Sequence, residues 1–353
     1  MKKLTTIVIA MCVMLTIFTG CGNTENSTVN NEKNNENTLN DMQDTAIKDE
    51  VTDPVDVNIA NLKGPTAMGM VNFMFRVHTD EIFNHNYNFS IITATDEVTT
   101  NLIKEELDIA SVPANLASVL YNNTDGSVQV IAINTLGVLY ILENGDSITD
   151  IDSLRGKTII SAGKGGTPEM SLRYVLLQNG IDPDVDVTIE WKSEQSECLA
   201  YLTTTQNAIV MMPEPFVTTA LLANENINVK LDLTKEWDKV QDSENPSSLI
   251  TGVVVARTDF VSANPNVIED FLENYKKSVE DTLANVLETA YLVAEYDITP
   301  FETAEIAIPN CNIVCITGDE MKTALEGYLT VLHEQNPTSV GGALPNSDFY
   351  YGS

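Results

Sequence analysis

The feature that most constrains this chain is an alternation of strands and helices that occurs twice. Val55 to Asn61 alternates apolar and polar residues and reads as a strand. Lys63-Gly64-Pro65-Thr66 turns into a helix running to about Val77, Phe89 to Ala94 reads as a strand and Glu97 to Leu107 as a helix. Asp108 to Val112 is a short strand stopped by Pro113, followed by a helix over Ala114 to Tyr121. The order then repeats. Lys157 to Ala162 is a strand, Gly163 to Pro168 turns into a helix ending near Asn179-Gly180, and Val185 to Trp191 is a strand. Glu194 to Leu202 is a helix, Ala208 to Met212 a short strand stopped by Pro213, and Pro215 to Ala223 a helix. Thr66 lies 47 residues before Pro113, and Thr167 lies 46 before Pro213. Alternation of this kind requires a mostly parallel sheet flanked by helices. Using it twice at nearly equal spacing predicts two similar α/β lobes.

The connections fit that plan. Val128 to Ile133, Val138 to Leu142 and Ile250 to Ala256 are apolar, β-branched runs suited to strands that cross between lobes. Beyond Asn264-Pro265 the chain reads as helical through Val267 to Ala284 and past Tyr291, with a late helix from Met321 to Leu332. This tail is expected to pack back on the first lobe. The expected organisation is lobe 1 over residues 55–136, lobe 2 over 137–250, and a return to lobe 1 with C-terminal helices over 251–353.

The N-terminal region reads differently. Lys2 and Lys3 precede an uncharged, mostly apolar stretch from Leu4 to Phe18, shorter than the ~20 residues of a spanning helix. It ends in Phe18-Thr19-Gly20-Cys21, which resembles a bacterial lipobox. Residues 1–20 are therefore expected to be a lipoprotein signal peptide, with Cys21 the lipidated residue. Residues 21–54 are rich in Asn, Thr, Glu and Asp, as in Asn30-Asn31-Glu32-Lys33-Asn34-Asn35-Glu36-Asn37. Such a stretch buries too little apolar surface to offset the entropy of ordering, and a disordered polar tether is expected.

A formal charge of −32 argues against nucleic acid or an anionic membrane surface as partners. Any contact with the membrane is expected only through the lipid on Cys21. Cys198, Cys311 and Cys315 read as buried free thiols. A Cys311–Cys315 disulfide needs a turn, because an extended strand would hold the pair ~13 Å apart. His78, His85 and His333 show no ligand spacing with the cysteines, so no metal is expected. The motifs GxxxxGK[ST], GxSxG and HExxH are absent, and no cofactor is expected.

Four stretches and the C-terminus carry a family resemblance. They are Leu62 to Met70, Leu107 to Ala114, Ile151 to Ile159 and Met212-Pro213-Glu214-Pro215-Phe216, with Ser339 to Gly342 and Leu344 to Tyr351 at the end. In this order they resemble the nitrate/sulfonate/thiamine-precursor type of ABC solute-binding protein, from about Asp56 onward. The resemblance implies the two-lobed type II periplasmic-binding fold, with a ligand cleft between the lobes. It implies a non-enzymatic monomer at the outer face of the cytoplasmic membrane that delivers a small organic molecule or oxyanion to a permease and its cytoplasmic ATPase. It does not carry a ligand over, because the family binds diverse solutes.

Ligands of open parallel sheets sit beyond the carboxyl ends of the strands. In lobe 1 this points to Gly64, Pro65, Thr66, Ala67 and Met68, and to Pro113, Ala114 and Asn115. In lobe 2 it points to Gly163, Lys164, Gly165, Gly166 and Thr167, and to Met212 and Glu214. Glycine admits close backbone approach, threonine supplies a hydroxyl, and free N–H groups at a helix start suit an anionic or carbonyl group. Asn115 can donate and accept, Glu214 can take an amine or ring N–H, and Met68 and Phe216 are candidates for an apolar wall. Each turn alone is equally an ordinary βα connection, and Glu214 equally a solvated acid at a helix start. Two other readings fit the resemblance. One is a cytosolic enzyme of the same fold, such as a thiamine-pyrimidine synthase or a chorismate dehydratase. The other is a ligand-sensing lipoprotein without transport.

Overall fold

A computed structural model describes residues 53–79, 81–241 and 247–353. Signal peptide, Cys21 and nearly all of the tether lie outside the described residues. No helix among the described residues is long and apolar enough to cross a membrane.

The described chain alternates as the sequence predicts. In lobe 1 it runs β1 (Asp56–Leu62), α1 (Pro65–Met68), α2 (Val71–His78), β2 (Asn86–Ile92), α3 (Thr95–Ile103), β3 (Ile109–Pro113), α4 (Ala114–Asn123) and β4 (Val128–Leu136). Lobe 2 follows with β5 (Leu139–Asn144), β6 (Thr158–Ala162), α5 (Thr167–Gln178), β7 (Thr188–Lys192), α6 (Gln195–Thr204), β8 (Ile209–Pro213), α7 (Phe216–Ala223), β9 (Ile227–Asp232) and α8 (Leu233–Lys239). The remainder is β10 (Ile250–Arg257), α9 (Thr258–Ala263), α10 (Pro265–Ala284), α11 (Val286–Glu295), α12 (Phe301–Ala307), β11 (Ile313–Ile316) and α13 (Gly318–Gln335).

Two sheets result. One has the order β11-β4-β10-β3-β1-β2, the other β7-β6-β8-β5-β9. Read from the opposite edge, the first begins β2-β1-β3-β10-β4, which is the order of the second. The registers repeat as well. Ile59 pairs with Ile109 and Ala60 with Ala110, while Ile159 pairs with Ile209 and Ile160 with Val210. In each sheet the antiparallel strand beside this parallel trio follows the other lobe in the chain. β5 enters lobe 2 and pairs with β8, and β10 returns to lobe 1 and pairs with β3. Strands β3 and β8 are buried on both faces up to their terminal prolines, which explains their unbroken apolar runs. Pro113 and Pro213 end both strands at the same place, next to the crossing strands.

Several local expectations shift. The first helix is not continuous to Val77 but breaks at Gly69-Met70. A Cβ on Gly69 would lie 2.8 Å from Ile313 Cγ2, so the backbone here packs directly on β11. The Ser278 hydroxyl of α10 donates to Gly69 O (2.7 Å) and accepts from Phe73 N (2.9 Å). It thus stands in the i→i−4 ladder, a recognised cause of helix breaks. Strand β2 begins three residues before Phe89, because Asn86 and Asn88 place their polar side chains outward against Asp56 and Asn58. β7 starts at Thr188 rather than Val185, which is exposed in a turn. The tail does not pack on lobe 1 alone, since α13 leans on β4 and α4 of lobe 1 and also on α5 of lobe 2. The three described cysteines are free, with Cys198 and Cys311 buried and Cys315 partly so.

Candidate functional site

A concavity with a mostly apolar lining opens where the carboxyl ends of both parallel trios face each other, a cavity of about 800 Å³. Its wall brings together Gly64, Pro65 and Thr66, then Pro113 and Asn115, then Gly163 to Thr167, then Glu214. Four other candidates are not in the wall. Ala67, Met68, Ala114 and Met212 are fully buried in the cores behind it. Helical and strand periodicity turns them away: Met68 packs near Cys311, with 3.8 Å between the sulfurs. Of the two proposed apolar wall residues, Phe216 lines the cleft and Met68 does not.

The hydroxyls expected to meet a ligand are already engaged. Thr66 Oγ1 donates to Leu62 O at 2.8 Å. Thr167 Oγ1 donates to Asn115 Oδ1 at 3.3 Å and accepts from Tyr328 OH at 3.1 Å, while Asn115 Nδ2 donates to Ser339 O. The glycine loop is also partly satisfied from within. Gly165 N donates to Glu169 Oε2 (2.7 Å) and Gly166 N to Gly163 O (3.2 Å). A carboxylate of the chain itself therefore occupies a donor that an anionic ligand would need. Gly163 has φ +90°, and a Cβ there would lie 2.8 Å from Pro168 Cγ, so no other residue fits.

Glu214 differs from every other group in the wall. It is 2 % exposed, and among the described residues its carboxylate accepts only from Thr218, from the amide at 3.1 Å and the hydroxyl at 3.0 Å. Burial pushes its pKa up to about 7, against the lowering effect of those two bonds. Tyr140 and Cys311, which feel its charge, are themselves pushed up, first by burial and then by carboxylates that include Glu214. The cations of the wall are Lys63, which reaches Asp297 at 3.2 Å, and Lys164, which is exposed. Among the described residues, neither forms an ion pair with Glu214.

Other wall residues escape a reading confined to turns and prolines. Thr95 begins α3 and Gln195 begins α6, the corresponding helices of the two units. The duplication itself was the signal, since each of these helices also follows a parallel strand at its carboxyl end. Thr135 and Thr251 come from the crossing strands, and Ile298 and Thr299 from the tail. Thr135 Oγ1, Thr251 Oγ1 and Gln195 Oε1 are buried without a hydrogen-bond partner among the described residues.

Two lobes of like topology, joined by crossing strands and facing each other across a cleft, define the two-lobed periplasmic-binding fold. Solved structures share it. An ABC transporter protein from Parabacteroides distasonis superposes with a TM-score of 0.70 at 21% identity, over 83% of this chain and 98% of that one. The periplasmic aliphatic sulphonate binding protein SsuA from Escherichia coli gives 0.66 at 15% identity, over 83% and 92%. A family model described as NMT1/THI5 like matches residues 126–288, the span from the first crossing strand to α11. Among curated proteins, the putative binding protein YtlA of Bacillus subtilis is 24% identical over 217 residues. That match covers 52% of this chain and 64% of YtlA, just short of two thirds of the relative's length.

Proposed function

We propose that this protein is the extracytoplasmic solute-binding component of an ABC importer, and that its solute is a small organic molecule presenting an amine or N–H group. The observation that carries the reading is Glu214: a carboxyl buried in an otherwise largely apolar wall, with no ion-pair partner among the described residues. Burying an ionisable group without a charged partner is costly, and a ligand donor at that point would offset the cost. The unpartnered hydroxyls of Thr135 and Thr251 and the amide oxygen of Gln195 add hydrogen-bonding capacity for further polar atoms. The engaged glycine loop and the net charge both weigh against a plain oxyanion. Sulfonate is what SsuA binds by its name, and the Glu214 geometry argues for a different solute here. The wall supplies no histidine, cysteine or second carboxyl among the described residues, which favours binding over acid–base chemistry.

A thermal-shift screen of sulfonates, carboxylates, pyrimidines, purines and amino acids tests the reading, because a ligand that binds only the folded state raises its melting temperature. An N–H-bearing or cationic compound should give the largest rise. Glu214→Gln should weaken that compound roughly tenfold or more, as expected for a charge-assisted hydrogen bond. A plain sulfonate or nitrate that binds wild type and Glu214→Gln equally would overturn it.

The importer role further implies a permease partner and an anchor. Gly20-Cys21 after the apolar stretch supports lipidation. Cys21→Ala should release the protein from membranes or stall its processing, as read by fractionation and mass of the mature chain. Normal maturation with full membrane retention would remove the lipoprotein part of the proposal.

A further inference from the structure

Helix α13 carries a residue of the C-terminal tail into lobe 2. Tyr328 is fully buried, with its ring 5.8 Å from Trp237 of α8, which in turn lies 4.3 Å from Tyr174 of α5. Its hydroxyl donates to Thr167 Oγ1 at 3.1 Å, and Thr167 Oγ1 donates onward to Asn115 Oδ1 at 3.3 Å. Thr167 is 3 % exposed and Asn115 7 % exposed, so the chain of bonds is shut off from water. It runs from lobe 1 (α13) into lobe 2 (Thr167) and back to lobe 1 (α4).

Thr167 closes the loop Gly163-Lys164-Gly165-Gly166 that forms the lobe 2 side of the cleft. Gly163 and Gly165 hold positive φ values of +90° and +82°. A segment with three glycines in four residues loses much conformational entropy on ordering, so its position depends on anchors at its ends. The Gly165–Glu169 bond anchors it from within lobe 2, whereas Thr167 anchors it from lobe 1. Tyr328 is not itself in the cleft wall.

We propose that Tyr328 is a positioning residue for the cleft: acting through Thr167, it fixes the Gly163–Thr167 loop of lobe 2 from the C-terminal tail and adds a tie between the lobes besides the two strand crossings. The proposal rests on the cleft being the ligand site only for its biological use, since the contact and its test need no ligand.

Hydrogen exchange by mass spectrometry on the full chain tests it. Tyr328→Phe keeps the ring and removes the donor, Thr167→Val removes both bonds, and Thr167→Ser keeps the hydroxyl. The amides of residues 163–167 should exchange roughly three- to tenfold faster in Tyr328→Phe and in Thr167→Val, the effect of losing about one neutral hydrogen bond in a local opening. Thr167→Ser should keep wild-type rates, and strands β6 and β8 should keep theirs in every variant. The double variant should exchange like Thr167→Val alone, because Thr167→Val already removes the bond from Tyr328. Wild-type loop exchange in folded Tyr328→Phe overturns the proposal, and so does an equal rise across β6 and β8, which would mark general loosening. A solute screen without a hit alongside loop-specific exchange would reject the importer reading and leave the positioning role standing.

Discussion

Glu214 ties the stability of the protein to pH. Its carboxyl is raised from an ordinary 4.5 to about 7 by burial, so the folded state holds a proton that the unfolded state has already released. The sign follows directly. The stabilising contribution is complete below the unfolded value, fades as pH rises, and is lost once pH passes the folded value near 7. Across that window the ligand-free protein should lose on the order of 3 kcal/mol relative to Glu214→Gln, since each tenfold tightening of proton binding is worth about 1.4 kcal/mol. Chemical denaturation of both proteins at pH 4.5 and pH 8 measures this, and parallel profiles would show that burial leaves the carboxyl near its ordinary value. If the solute is cationic, its affinity should rise with pH up to about 7, with proton release on binding at lower pH. Calorimetry in two buffers of different ionisation enthalpy reads that release. At this scale the sequence located Thr66, Asn115 and Thr167 beside the cleft through their turns. It could not show that the hydrogen bonds of Asn115 and Thr167 are already made, because their partners Ser339 and Tyr328 lie more than 150 residues away.

Among the elements, the break between α1 and α2 is the clearest case of packing overriding local preference. Met68 to Met74 has helical spacing, yet close approach of β11 to Gly69 and insertion of the Ser278 hydroxyl divide it. Ser278→Ala should leave Gly69 O and Phe73 N buried and unsatisfied, at a cost of about 1–3 kcal/mol. A lower midpoint in urea denaturation checks this, whereas an unchanged midpoint would mean that the two segments had closed the bond between themselves. Neighbouring Phe73 sits with Phe83, Tyr87, Phe89 and Phe271 at centroid distances of 4.9–6.0 Å. Phe73→Ala should therefore be more damaging, at about 3–5 kcal/mol.

For the whole molecule, the strand crossings set how the lobes can move. The chain passes from β4 to β5 within Leu136–Leu139 and returns at Ile250, and β10 pairs with β4 through an irregular register there. Hinging near Thr135–Tyr140 and Thr251–Val255 is the motion this layout favours. Small-angle scattering should show a smaller radius of gyration with a confirmed solute than without it. An identical radius would count against hinge closure but not against binding.

The order of strands and helices, their duplication and the ends of β3 and β8 were all legible in the sequence, because periodicity, glycine turns and strand-ending prolines are local properties. The same locality placed Gly64, Pro65, Thr66, Pro113, Gly163 to Thr167 and Glu214 at the mouths of strands. Only tertiary structure decided which of them face the cleft, turning Ala67, Met68, Ala114 and Met212 into core. It alone added Ile298 and Thr299 to the wall and Tyr328 to the loop's support, since these residues lie more than 130 positions beyond that loop and meet the site through packing that no local pattern encodes. The state of Glu214 belongs to the same group: an acid after a strand-ending proline reads equally as a ligand contact or as a solvated helix-start acid, and burial beside Thr218, Tyr140 and Cys311 is what makes it a group ready to take a proton or a donor.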